Sequence, residues 1–338
     1  MTNESTGRRF SQAKLKKFGK SAVIAVFRYT MIISLAFMIL YPLLRMLTIA
    51  FTHPRAIGAV GGLWIPPMFS LDNLRVAFGL LDYWNVLWFT MWNVGIVVIF
   101  QIFNAAFAGY AFARLRFRGM GLLFFCVLLT FIVPMQVFML PQRVLFQNFD
   151  MFGIVTLIRG EPLNLLGTPS VVFILAATGM GLSGGLFIYI FRQFFRGLPK
   201  ELEEAAYVDG AGFLRTFLTI VLPMAKPAFL TVGTLSFIWN YNDLHLPTLF
   251  NPGNNFYFSV RVEQLISLQG GTSIMQNMIH AARSAGRIST EVLSLNTAQY
   301  DTNVHQVVVL LALLPMIVLF LAVQRQFVQG VERSGIVG

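Results

Sequence analysis

Cysteine is almost absent: the single Cys126 lies inside an apolar run, so no disulfide can form within the chain and the residue is read as a small packed hydrophobe. Histidine is scarce too. His53, His245, His280 and His305 lack the spacing that would bring ligands to one metal ion. No nucleophile, base and acid form a recognisable set, and no catalysis is expected of this chain. A nucleotide-binding loop is also missing. Gly19-Lys20-Ser21 has the ending of one, but position 14 is lysine where the first glycine is required, and no strand precedes it. Charge is thin, at 12% of 338 residues, with 14 acids against 25 bases.

What is present is apolar. Hydrophobic residues make up 56% of the chain, with 34 Phe and 15 Met, and the mean hydropathy is +0.69. A soluble core of this size does not need so much apolar material, so the sequence predicts an all-α membrane protein with about six transmembrane helices. The spans are placed at 22–51, 87–112, 120–144, 170–195, 228–249 and 304–323. A basic tail, 1–21, precedes them, and a second tail, 324–338, follows. Arg8-Arg9 only partly matches a twin-arginine signal. The apolar run after it is too long for a signal core and has no small-residue cleavage pattern, so it is read as an uncleaved span.

Within this 22–323 domain the outer loops are 52–86, 145–169 and 251–303, and 196–227 faces the other side. In the first loop, Ser70 to Phe78 reads as a capped amphipathic helix along the surface. Pro134 and Pro141 are expected to bend or break the third span. Gly179, Gly181, Gly184 and Gly185 are read as close-packing positions in the fourth, with a hinge as the alternative. With both ends cytoplasmic, the inner segments (both tails, 113–119 and 192–226) hold sixteen Lys and Arg and the outer ones (52–86, 143–170 and 245–303) seven, as the positive-inside rule requires. Topology therefore explains the net charge of +11 better than nucleic-acid binding does.

The most informative stretch is Arg196 to Pro227. Pro199 suits a first helical position, and Glu201, Glu203 and Glu204 place acids at the positive end of a short helix. Ala205 and Ala206 give it a low-relief side, and Gly210 with Gly212 ends it. A second apolar run, Phe213 to Leu222, stops at Pro223. A helix, a glycine turn and a helix between two spans can be a docking element or merely a charged connector.

The order Glu204-Ala205-Ala206, three residues, Gly210, nine residues, then Ile220-x-Leu222-Pro223 resembles the EAA loop of permease subunits in ATP-binding-cassette importers. Trp239-Asn240-Tyr241-Asn242-Asp243-Leu244-His245-Leu246-Pro247 is similar to a stretch in the fifth span of carbohydrate-importer permeases. Trp64 to Phe78 and Phe191 to Gly197 resemble two further segments of that subgroup. Gln324 to Gly330 and the final Gly335 to Gly338 are similar to the tail of the maltose-type second permease, although the long segment 251–303 is closer to the polysaccharide and oligosaccharide permeases.

The resemblance implies a type I importer permease fold, with ATP and Mg bound by two separate ATPase subunits and no cofactor in this chain. It also implies a second permease subunit, most simply a different chain, an extracytoplasmic solute-binding protein and a surrounding bilayer. Glu203, Glu204, Ala205, Ala206, Asp209, Gly210, Leu222 and Pro223 would couple to the ATPase, with Glu204 pairing with a base on it. Gln329, Gly330 and Gly335 would give tail contacts.

Substrate-path candidates are the polar and aromatic residues of the spans: Asn104, Gln136, Trp239, Asn240, Tyr241, Asn242 and Asp243, with Asn93 and Gln101 beside them. For most of them an inter-helix hydrogen bond is the simpler role. A self-sufficient secondary transporter or channel, not dependent on an ATPase, is the alternative, but it would be expected to show internal repeats or more membrane carboxylates than Asp243 alone.

Overall fold

The computed structural model describes residues 4–53, 56, 64–253, 256–267 and 297–335, with side chains described for 21–53, 56, 64–253, 256–265 and 303–325. The chain is helical and holds no strand among the described residues, only two isolated bridges. It divides into two compact units, 1–77 with 282–311, and 78–281 with 312–338.

The first unit contains α1 (Glu4–Ala50), a single helix that runs from the basic tail through the first span and includes Pro42. The tail was expected to be separate. No proline or glycine pair interrupts 4–50 strongly enough to stop a helix already nucleated by the 30-residue, mostly apolar stretch Ser21–Ala50. The last carbonyls of α1 need partners once the helix stops. Asn73, buried at the start of α2 (Asp72–Leu81), supplies one for the Ile49 oxygen at 2.9 Å and also donates to the Thr52 oxygen, two residues beyond the helix, at 2.8 Å. Ser70 accepts the Asp72 amide at 3.0 Å and so caps α2, close to where the sequence placed a surface helix.

The second unit is built on α3 (Tyr83–Arg114), 32 residues long, which forms the expected second span. After a basic turn that carries Arg116 and Arg118 come α4 (Met120–Ile132) and α5 (Gln136–Gln147), bent by 99°. Pro134 lies in that break, where its ring denies the backbone an amide and crowds the preceding turn. Pro141, by contrast, is accommodated inside α5. The short α6 (Ile154–Arg159) follows in the outer loop.

The fourth span was expected as one helix and is two, α7 (Ser170–Ala177) and α8 (Gly184–Arg196). Gly179 at φ +77 and Ser183 at φ +56 turn the backbone out of the helix between them. The glycines also permit close packing. A Cβ on Gly185 would stand 2.5 Å from the Val127 oxygen of α4. The same logic brings α3 and α8 together, since a Cβ on Gly109 would lie 2.7 Å from that of Phe191 and 2.9 Å from the Arg192 nitrogen. Around this contact Tyr110, Phe187, Phe191 and Phe195 are fully buried and form the core with Phe217 and Val221.

Then follow α9 (Glu201–Val208), α10 (Phe213–Thr216), a π turn over Phe217–Val221, α11 (Leu222–Met224) and α12 (Lys226–Asn242). The segment Phe213–Met224 meets α12 at 77°. Pro223 and Pro227, four apart, account for the bend: the amide that should bond the Pro223 carbonyl belongs to a proline. The fifth span was expected to continue to 249, but it breaks at Asp243, after which α13 (His245–Phe250) and α14 (Phe258–Ser267) follow.

The last helix, α15 (Thr297–Gly335), holds the expected sixth span as Asn303–Arg325, and its backbone continues helically through what was expected to be a distinct tail. Among the described residues, three helices are long and apolar enough to cross a membrane, and the two bent pairs raise this to as many as five, against about six expected from sequence. The difference is the split fourth span.

Candidate functional site

The helix α9 has an inner and an outer face. Three acids crowd its first turn, where the macrodipole favours them. Only Glu203 points inward, at 6% exposure, together with Ala206 at 5%. Glu201, Glu204, Ala205 and Asp209 are exposed, and Val208, one turn beyond Glu204, is 88% exposed. The outer face thus combines carboxylates with an uncovered aliphatic side chain.

The helix stop is well defined. Gly210 adopts φ +79, its amide donates to the Tyr207 oxygen at 3.0 Å, and the Ala211 amide donates to the Ala206 oxygen at 2.9 Å. This is the paired closure of a Schellman motif, with glycine at the left-handed position. Leu222 is half-buried and Pro223 exposed where the second arm approaches its bend.

Glu203 accounts for much of how α9 is held. Arg114, the last residue of α3, donates through Nε to its Oε1 at 2.6 Å, and the Tyr110 hydroxyl donates to its Oε2 at 3.0 Å. Arg114 also donates through Nη2 to the Leu198 oxygen at 2.9 Å. Both charged side chains are less than a tenth exposed. Removing one partner of such a buried pair costs about 3–5 kcal/mol, because the other charge is left stranded. Sequence reasoning did not single out Tyr110 and Arg114, although their separation of four on a helix puts them on one face.

The polar residues of the spans serve two purposes. Gln101 of α3 is buried, and its Oε1 accepts from the Ser236 hydroxyl at 2.6 Å and from the Asn240 amide at 2.9 Å, both on α12. Its Nε2 donates to the Leu182 oxygen at 3.2 Å, and Asn104 donates to the Ala177 oxygen at 2.8 Å. These two amides of α3 therefore satisfy carbonyls at the end of α7 and within the α7–α8 break, which an apolar surrounding could not. Asn93 donates to the Phe89 oxygen of its own helix.

The remaining candidates are spread out. Trp239 stacks on Phe187 at 5.5 Å, the Tyr241 hydroxyl donates to the Ala312 oxygen at 2.5 Å, and exposed Asn242 donates to the Ile238 oxygen at 2.8 Å. Asp243 is buried, and its carboxylate accepts the His245 and Leu246 amides at 3.0 and 3.2 Å, so it starts α13. Gln136 is exposed at the start of α5. A cavity of about 400 Å³ opens among α5, α13 and α14, with Arg143, His245 and Glu263 on its lining. Gln329, Gly330 and Gly335 lie on the helical backbone of α15, and their side chains are outside the described residues.

The chain is similar over part or most of its length to several permease proteins. The alpha-glucoside transport system permease protein AglG of Rhizobium meliloti is 29% identical over 61% of this chain and 52% of its own length, so the chain spans about half of that relative. The arabinooligosaccharides transport system permease protein AraQ of Halalkalibacterium halodurans is 25% identical over 90% of this chain and 93% of its own. Among solved structures, a chain of a bacterial ABC transporter involved in the import of the acidic polysaccharide alginate shares the fold, with a TM-score of 0.63 over 91% of this chain and 98% of that one at 19% identity. The sequence profile described as binding-protein-dependent transport system inner membrane component matches residues 105–333, which takes in α9, its glycine stop and the anchoring end of α3. With that match extending over more than half of its length, the chain belongs to the family of inner membrane components of binding-protein-dependent transport systems.

Proposed function

We propose that this chain is the permease subunit of an importer that takes up a sugar or oligosaccharide, and that α9 is the helix through which a separate ATPase drives it. The observation that carries the reading is the two-sided construction of α9. Its inner face is tied into the fold through Glu203, while Glu204, Ala205 and Val208 are left uncovered on a helix whose end is fixed by Gly210. Glu204 pairs with a base on the ATPase, and Ala205, being small, lets the partner surface come close. Asp209 and Gly210 shape the turn, and Leu222 with Pro223 connects it to α12.

Two ATPase subunits bind ATP and Mg, a second and different permease completes the membrane path, and a solute-binding protein delivers the cargo to the outer side. Gln329, Gly330 and Gly335 add a second contact with the ATPases. The carbohydrate class rests on what the printed names of AglG, AraQ and the alginate importer say those proteins carry. Along the path, the exposed Gln136 and Asn242 and the half-buried Asn104 and Trp239 have surface to offer a solute. Asn240, Tyr241 and Asp243 are engaged with the protein itself and shape the path.

Glu204→Lys tests the coupling role. The variant is expected to accumulate in the membrane like the parent chain and to lose solute uptake by about tenfold or more, since a like-charge contact at a docking face costs at least 1–2 kcal/mol. Uptake at the parent rate would remove Glu204 from the mechanism. Mild-detergent purification should recover an ATPase and a second multi-span protein with the chain.

A further inference from the structure

We infer that Glu203 is a positioning residue, and that its clamp with Arg114 and Tyr110 makes α9 and the inner end of α3 move as one body. The inference deepens the coupling role proposed above and rests on it. Each carboxylate oxygen of Glu203 takes one donor, Oε1 from Arg114 at 2.6 Å and Oε2 from Tyr110 at 3.0 Å. Two bonds from two side chains resist rotation as well as pulling, which a single contact would not. Arg114 reaches further, to the Leu198 oxygen just before α9.

Tyr110 ties in the other arm of the loop, with its ring 4.8 Å from that of Phe217 and 5.0 Å from that of Phe213. Both arms around the glycine stop therefore converge on one turn of α3. From there α3 leads to Gln101, whose bonds reach α12 and the break between α7 and α8. A load applied to the outer face of α9 has a continuous bonded route into the spans. Glu201 and Glu204, on the exposed side, offer none.

The test uses the intact complex, with its ATPase and second permease, in lipid nanodiscs and with Mg-ATP as the probe. Cys126→Ser removes the native thiol, and spin labels at Arg118→Cys and Leu214→Cys, both exposed positions, report the separation of the α3 end from the loop. In the otherwise unmodified complex this distance is expected to stay constant when Mg-ATP is added.

In Glu203→Gln the distance should change on adding Mg-ATP, and ATP turnover should fall about tenfold at an unchanged KM for ATP, the pattern of a lost joint with docking intact. Glu203→Asp, which keeps the charge, should restore the constant distance. A constant distance with parental turnover in Glu203→Gln overturns the inference. Should that variant fail to assemble, Arg114→Lys carries the test, since a lysine cannot hold Glu203 and Leu198 together; a changing distance supports the joint and a constant one overturns it. If the unmodified chain recruits no ATPase, the coupling reading itself falls and the inference with it. Assembly with an undisturbed Glu203→Gln sinks the inference alone.

Discussion

Glu203 and Glu204 are adjacent and chemically equal, yet one is buried against Arg114 and the other is exposed. A helix turns by about 100° per residue, so neighbours necessarily face different ways. Gly210 is the other residue whose role is set by geometry. No atom lies within 4 Å of where its Cβ would be, so a substitution there meets no clash and only the left-handed backbone resists it. Gly210→Ala should therefore cost about 1–2 kcal/mol, and Gly210→Asn less. Faster amide exchange at the end of α9, with the far spans unaffected, is the expected readout. Unchanged exchange there would mean that the Schellman closure is not what holds the loop.

Among the elements, the spans are interrupted more often than a hydropathy profile implies, and each interruption has its own compensation. The 99° bend at Pro134 follows from a missing amide. The gap between α7 and α8 exposes backbone, which Asn104 and Gln101 satisfy from α3. Gln101 is the costly one to lose, because Leu182, Ser236 and Asn240 all depend on it. Gln101→Leu should lower stability by about 1–3 kcal/mol, measured as a drop in the melting temperature of the purified chain in detergent. A melting temperature equal to the parent's would show the network to be incidental.

At the scale of the whole molecule the basic residues are unevenly distributed between the proposed inner and outer segments. With both ends inside, as proposed, sixteen Lys and Arg fall on the inner side against seven on the outer, and α9 would face the side where ATP is available. In a Cys126→Ser background, Lys200→Cys should react with a membrane-impermeant maleimide only after the cells are opened. Glu161→Cys, exposed in the outer loop, should react in intact cells. The reverse pattern would invert the topology and remove α9 from the side of the ATPase.

A 56% apolar composition pointed to a membrane, and apolar runs of about 20 residues or more pointed to helices, which satisfy their backbone within each segment away from water. The residues from Glu204 to Pro223 determined a short helix and its stop, since their effects on backbone angles are local, and their spacing carried the resemblance to the family that the profile match then showed. The inward direction of Glu203 was beyond sequence reasoning, as its partner is 89 residues away and an eight-residue helix carries too little pattern to orient itself. The split of the fourth span was equally hidden. Glycine in a membrane helix permits both packing and breaking, and only the amides of Gln101 and Asn104, brought alongside by the packing of α3, made the broken form affordable. Local chemistry was written in the chain, and tertiary contact decided which polar group each buried residue would meet.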